Sequence, residues 1–229
     1  MKRAAIFICG LLGLCFIFQA TAGVTVGATR VVFSSDMKET SLSVNNTGID
    51  SAFLVRSWVS NFEDESKASI PFIASLLFFR IEKNQNSIIR IALKSAAGLP
   101  QDRESIYWMN VLVIPPSQKK SDEGGSLQFS VNNRLKLIYR PAALNNQDLK
   151  DIYSKVKFSR SGEGLTVTNP TPYYVSFGKI TVNNSPVTES VMVPPLASTK
   201  IKKAPMGNDV SWTVIDDYGG ISKLSHAKI

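Results

Sequence analysis

A reaction centre needs titratable or nucleophilic groups that converge, and this 229-residue chain offers few of them. It has one histidine, His226, close to the C-terminus, and two cysteines, Cys9 and Cys15, both inside an apolar run near the N-terminus. A zinc or copper site draws several imidazoles or thiolates around one ion, so the inventory argues against a metal enzyme, a sandwich-type superoxide dismutase included. A Ser-His-Asp triad would have to hold His226 firmly, and chain ends are where order is usually lost. Glu63-Asp64-Glu65 and Asp122-Glu123 stand among turn-forming residues; solvated loops account for them, and a glycosidase-like carboxylate pair is a reading in principle only. No glycine-rich phosphate loop follows a strand-like segment, and Asn45 and Asn183 match a glycosylation pattern that matters only on a eukaryotic secretory route. The residues point to binding rather than catalysis, with no cofactor and no metal.

The N-terminus, residues 1–22, reads as a cleavable signal peptide. Met1-Lys2-Arg3 is basic, Ala4 to Phe18 is apolar and uncharged, and Ala20-Thr21-Ala22 is the small-residue pattern that signal peptidase cuts. The run falls short of the about 20 apolar residues of a spanning helix, and no later stretch approaches that length, so no direct membrane insertion is expected. Leu14 precedes Cys15 where a lipoprotein signal would place a small residue. Removing 22 of the 229 residues leaves 207, takes away both cysteines and, with Lys2 and Arg3, lowers the formal charge from +8 to +6. A thiol-free chain bound for an oxidising compartment must rest on its core rather than on disulfides. Its length suits one large domain or two of about 100 residues. Residues 23–141 carry 14 basic and 11 acidic side chains, and residues 142–229 carry 10 and 7. Such an even surplus is a solvated surface, not the stripe that nucleic acid requires.

The elements that must position a binding surface are strands. Nearly every apolar cluster is short, alternating and rich in Val, Ile, Thr and aromatics. Ile89, Ile91 and Leu93 alternate with polar residues; Leu165 and Val167, then Tyr173, Val175 and Phe177, then Val210, Trp212 and Val214 repeat the pattern. Turn signals at Asn45-Asn46-Thr47-Gly48, Gly124-Gly125, Asn183-Asn184 and Gly219-Gly220 space them as in antiparallel sandwiches. Strand pattern stops at Arg140-Pro141, because proline cannot continue a ladder, and a polar run then leads into Asp148 to Tyr153, which has a weak helical period. A seam there divides the chain into 23–141 and 142–229, so the expected fold class is all-β with two sandwich domains.

One segment is too long for its domain. From Leu127 to Tyr139 the odd positions read Leu127, Phe129, Val131, Asn133, Leu135, Leu137, Tyr139, while the even ones begin Gln128, Ser130, Asn132, Arg134, Lys136. At about 3.3 Å per residue such a strand extends roughly 40 Å, whereas strands average about 5–6 residues. Two readings follow. In one, the segment is a central strand, or two strands broken at Asn132-Asn133, enclosed by its own domain. In the other, the second half fills the core while Leu127, Phe129 and Val131 overhang it on a Gly124-Gly125 pivot and pair with another chain. Burial in that partner would contribute about 1.5–3 kcal/mol for each of the three, before association costs.

The run Leu99-Pro-Gln-Asp-Arg-Glu-Ser105, followed by Tyr107-Trp-Met-Asn110 and Ile114-Pro-Pro116, resembles the first-domain signature of periplasmic pilus-assembly (fimbrial) chaperones, the PapD-like family. Gly27-Ala-Thr-Arg-Val-Val-Phe33 is similar to the family's opening strand and Leu135-Lys-Leu-Ile-Tyr-Arg-Pro141 to its last first-domain strand. Asn169-Pro-Thr-Pro-Tyr-Tyr174 and Asp217-Tyr-Gly-Gly220 are similar to its second domain. The resemblance implies two immunoglobulin-like domains at an angle, whose cleft receives a pilin subunit lacking its final strand. It implies a non-enzymatic chaperone that donates the strand bearing Leu127, Phe129 and Val131 and hands the subunit to an outer-membrane usher. Arg30 and Lys136 take the places of the basic pair that anchors the subunit's C-terminal carboxylate. Glu104, Arg140 and Asp217 take those of the charged cluster between the domains. Only ten residues, none a cysteine, separate Pro116 from Leu127, which resembles the family's short-loop branch, associated with rod-like pili. The chain departs from some members in lacking a second-domain disulfide, and its acidic loop from Asn61 to Ser69 matches no motif. The rival reading is a secreted two-domain adhesion module. Self-association of the free chain through the overhanging strand stays open.

Overall fold

The computed structural model describes residues 23–48, 51–63, 68–116, 127–145 and 149–229. The first domain contains β1 (Val24–Val26), β2 (Arg30–Ser34), β3 (Glu39–Asn46), β4 (Phe53–Asn61), β5 (Phe72–Ala74), β6 (Phe78–Ile81), β7 (Asn86–Leu93), β8 (Ser105–Ile114) and β9 (Val131–Arg140). They form two sheets, β1-β3-β7-β5 and β2-β9-β8-β4-β6. The inward residues of each alternating strand meet between the sheets: Leu42, Val44, Ile89 and Ile91 from one, Val55, Met109, Val111, Leu135, Leu137 and Tyr139 from the other.

After β9 come one 3-10 turn, Ala142–Leu144, and a short helix α1, Leu149–Tyr153, where the weak helical period lies. The second domain then adds β10 (Lys157–Ser161), β11 (Gly164–Asn169), β12 (Val175–Val182), β13 (Ser185–Pro186), β14 (Met192–Val193), β15 (Ala197–Ile201), β16 (Asp209–Val214) and β17 (Ser225–Lys228). One sheet is β10-β11-β15 and the other β13-β12-β16-β17, with β14 beside β12, and a separate core gathers Val167, Val175, Phe177, Trp212 and Val214. Asn183 and Asn184 turn the β12–β13 hairpin with φ of 45° and 65°, the left-handed region that asparagine tolerates. The all-β, two-sandwich architecture is therefore the one the alternation predicts. Among the described residues no helix is long and apolar enough to cross a membrane.

One feature of the first sandwich shapes the rest of the molecule. β1 and β2 are consecutive stretches of chain that belong to different sheets: β1 pairs antiparallel with β3, and β2 pairs parallel with β9. The crossing falls at Gly27-Ala28-Thr29, where the Gly27 N–H donates to the Ser43 carbonyl at 2.9 Å and a Cβ on Gly27 would require the Ser43 hydroxyl to turn away. β2 covers β9 only from Lys136 to Arg140. On its other side β9 is paired with β8 from Val131 to Tyr139. Residues 131–135 thus have no strand on the β2 side among the described residues.

The structure shortens the expected 127–139 strand, which begins at Val131. Continued in register, Phe129 would face Pro115, which has no N–H, so the ladder with β8 ends; Gln128 Nε2 donates to the Pro115 carbonyl instead, at 2.6 Å. The enclosed-strand reading is overturned, because Leu127, Phe129 and Val131 are 81%, 73% and 59% exposed. The turn expected at Asn45 to Gly48 also differs: β3 runs through Asn46, whose buried amide donates to the carbonyls of Ser51 at 2.9 Å and Glu82 at 3.1 Å. The leader, the Gly124-Gly125 pivot and positions 64–67 of the acidic loop lie outside the described residues.

Candidate functional site

Strand β9 changes character along its length. Its odd-numbered side chains Leu135, Leu137 and Tyr139 are buried in the first core, whereas Val131 and, before the strand, Phe129 and Leu127 project into solvent on the continuation of that face. Phe129, Val131 and Asn133 line a cavity of about 260 Å³ with Gly23, Val24, Phe53 and Val113, at the open end of the sandwich. The site is an unfilled seam: apolar side chains on one face, and an adjoining edge that no strand covers among the described residues.

The covered part of β9 begins at a pair of cations. Arg30 and Lys136 are Cα partners in the parallel β2–β9 register, so their side chains leave the same face of the sheet. Both reach the second domain. Lys136 Nζ donates to Ser176 Oγ at 2.9 Å, and Arg30 Nη1 donates to the Ile215 carbonyl at 3.1 Å. Arg30 Nε is buried with no hydrogen-bond partner. Neither residue joins a salt bridge among the described residues. Burial lowers the pKa of Arg30, and burial together with the neighbouring Arg30 charge brings Lys136 down from 10.5 to about 8. Two adjacent cations answered by neutral oxygens, with one N–H unused, suit a carboxylate, which accepts charge-assisted bonds from both.

A second cluster lies beside them. Arg140 Nε donates to Glu104 Oε1 at 2.7 Å, while its Nη1 and Nη2 donate to the Asp217 carboxylate at 2.6 and 2.9 Å. Glu104 Oε2 accepts the Tyr174 N–H at 2.7 Å, and the Glu104 N–H donates to the Pro172 carbonyl at 2.9 Å. The guanidinium also lies over the Tyr173 ring, 5.3 Å from its centroid. Burial raises the Glu104 pKa against the pull of Arg140 and the Tyr174 N–H. Burial works against the Arg140 charge as well, but the Asp217 and Glu104 carboxylates more than offset it and raise the Arg140 pKa. The end of β9 and the residue before β8 are thereby fastened to the 172–174 and 217 segments of the second domain.

The structure brings Arg30 and Lys136 together, and Glu104, Arg140 and Asp217 beside them, while Leu127, Phe129 and Val131 stand at the far end of the same segment, away from both clusters. Sequence reasoning missed Ser176, the Ile215 and Pro172 carbonyls and the Tyr174 N–H. Ser176 sits two residues beyond the Asn169–Tyr174 motif, and nearness to that motif is the one signal the sequence holds for it. A backbone carbonyl leaves none.

The description "Pili and flagellar-assembly chaperone, PapD N-terminal domain" matches residues 23–145, and "Pili assembly chaperone PapD, C-terminal domain" matches residues 151–226. The chaperone protein LpfB of Salmonella typhimurium is 34% identical over 226 residues, covering 96% of this chain and 95% of that protein. Among solved structures, a chain from the Salmonella enterica SafA pilin–SafB chaperone complex superposes with a TM-score of 0.83 at 33% identity, covering 90% of this chain and 96% of that one. The Escherichia coli chaperone DraB gives 0.79 at 35% identity, covering 90% and 98%. An open seam in the first domain, a cationic pair at its closed end and a second domain fastened alongside thus accompany two family matches in chain order, and the chain belongs to the PapD-like pilus-assembly chaperones.

Proposed function

We propose that this chaperone binds pilin subunits in the periplasm by lending them the edge of β9, and passes them to an outer-membrane usher. The observation that carries the reading is the open edge of residues 131–135, preceded by exposed Leu127, Phe129 and Val131 and ending at Arg30 and Lys136. A subunit that lacks a strand has a groove with pockets on alternate positions, and the three apolar side chains recur at that spacing. The subunit's C-terminal carboxylate is held by Arg30 and Lys136 through charge-assisted bonds worth about 1.5–3 kcal/mol each. That anchor sets the register, because a slip of one residue would present Gln128, Ser130 and Asn132 to the pockets instead. Glu104, Arg140 and Asp217 hold the two domains at the angle that forms the cleft. No nucleotide enters the cycle: the donated strand is displaced when a better-fitting subunit extension replaces it at the usher. The leader at residues 1–22 supplies export.

Co-expression of a pilin with the Lys136→Ala chain tests the anchor. The periplasmic complex is expected to fall well below wild-type yield, and an undiminished yield would overturn the role of Lys136. Osmotic shock separates this reading from a surface adhesion module, which would stay with the cells.

A further inference from the structure

The two anchoring cations belong to the first domain, yet both are gripped by the second, and by a single rung of it. The Ile215 N–H donates to the Ser176 carbonyl at 2.9 Å, so the strand-end segment that presents the Ile215 carbonyl to Arg30 is bonded to the residue whose hydroxyl takes Lys136. The rung stands beside an irregularity in the β12–β16 pairing, where the register shifts between Phe177 and Lys179. At the intervening Gly178 a Cβ would lie 3.1 Å from both Ile221 Cδ1 and Thr213 Oγ1. Ser176 itself is only 2% exposed, so its hydroxyl has little freedom to turn elsewhere.

Two like charges on neighbouring strands repel, and a lysine stem has ample freedom to carry its ammonium away into solvent. Something must hold it beside Arg30 without neutralising it. A carboxylate would hold it more tightly but would occupy the anchor; a hydroxyl and a carbonyl hold both cations and leave their charge available. We propose that Ser176 is a positioning residue of the subunit-binding site, holding Lys136 in the paired geometry that receives a carboxylate. The inference rests on the carboxylate-anchor reading. It makes the anchor a composite of both domains, so that the interdomain angle and the strength of the anchor are linked.

The probe is a short peptide of alternating apolar and polar residues, made with a free C-terminal carboxylate and as its amide, and titrated calorimetrically into the full chain. Loss of the Ser176 bond, at about 1 kcal/mol net, corresponds to roughly a fivefold loss in affinity for the acid form, with the amide form unaffected. Ser176→Ala is therefore expected to cut the preference for acid over amide about fivefold, Ser176→Thr to restore it, and Ser176→Asp to abolish it by placing a carboxylate on Lys136. A general loss of structure would weaken both peptides alike and leave their ratio unchanged. Acid preference retained in full by Ser176→Ala would overturn the role of Ser176 alone. No acid preference in the wild-type chain would overturn the anchor itself, and this inference with it.

Discussion

Phe129 and Leu137 lie on the same face of one extended segment, eight positions apart, and the proposal assigns them opposite duties. Leu137 is fully buried in the first core, and Leu137→Ala should cost about 2–5 kcal/mol of stability through lost transfer energy and a cavity. Phe129 is 73% exposed, so Phe129→Ala should leave the melting temperature of the free chain within error of wild type. On the proposed reading its work is done in the complex. Full burial of such a side chain contributes about 1.5–3 kcal/mol; scaled by the share still exposed, the client gains about 1–2 kcal/mol, roughly a 5- to 30-fold change in Kd. Phe129→Asp should be more severe, because a charge would have to enter an apolar pocket. The assay pairs thermal melts of each variant with complex formation from diluted, unfolded pilin, read by native chromatography. A melting temperature lowered by Phe129→Ala as far as by Leu137→Ala would show that the overhang serves its own domain. Unchanged capture of pilin by Phe129→Asp would remove Phe129 from the donor face.

Two further outcomes follow from the electrostatics. Lys136 has its pKa lowered to about 8 by burial and by Arg30, so its charge is present below that pH and lost above it; affinity for a carboxylate-ended client should fall as pH rises past about 8, and Lys136→Met should flatten the profile. Folding responds with the opposite sign, since keeping the amine charged in the native state is a cost below about 8 that is relieved towards 10.5, and melts across that window check it. Arg140→Met leaves Glu104 and Asp217 facing one another with no cation, and should destabilise the chain by about 3–5 kcal/mol and change its solution scattering as the domains lose their angle. Adding Glu104→Gln should recover part of the loss.

What the sequence made legible was whatever the two-residue period controls. Ile89 and Ile91, or Val210, Trp212 and Val214, announce their buried face because one side of each strand has to meet a core. The overhang was legible for the same reason, as an alternation longer than any core of this size could use. Its true start was not: strand β9 begins at Val131 because Pro115 ends the ladder on the neighbouring strand, a long-range effect that local pattern does not contain. Arg30 and Lys136 could be paired only through family resemblance. What brings them together is a parallel register between the second and last strands of the first domain, and nothing in either segment names the other. Ser176 was missed because a serine in an apolar strand reads as a neutral filler until a lysine from another domain is seen on it.

The open edge and the cationic pair have one origin. The first strand crosses between sheets at Gly27 to Thr29, and where it arrives, at Arg30, it begins to cover β9. The residue that marks the end of the vacancy therefore also carries the guanidinium, and parallel pairing sets Lys136 opposite it. On the proposed reading this geometry fixes the direction of the client. A strand filling the edge at residues 131–135 whose carboxyl end reaches Arg30 and Lys136 must run the same way as β9, as β2 does. Parallel pairing is slightly less stable per residue than antiparallel. On that reading the lent strand offers the client the weaker of the two pairing senses, and a replacement strand that paired antiparallel would have a free-energy advantage over it. The crossing at Gly27 to Thr29 thus ties the open edge of β9 and the Arg30–Lys136 pair to one ordinary feature of a sandwich, a chain segment shared between two sheets.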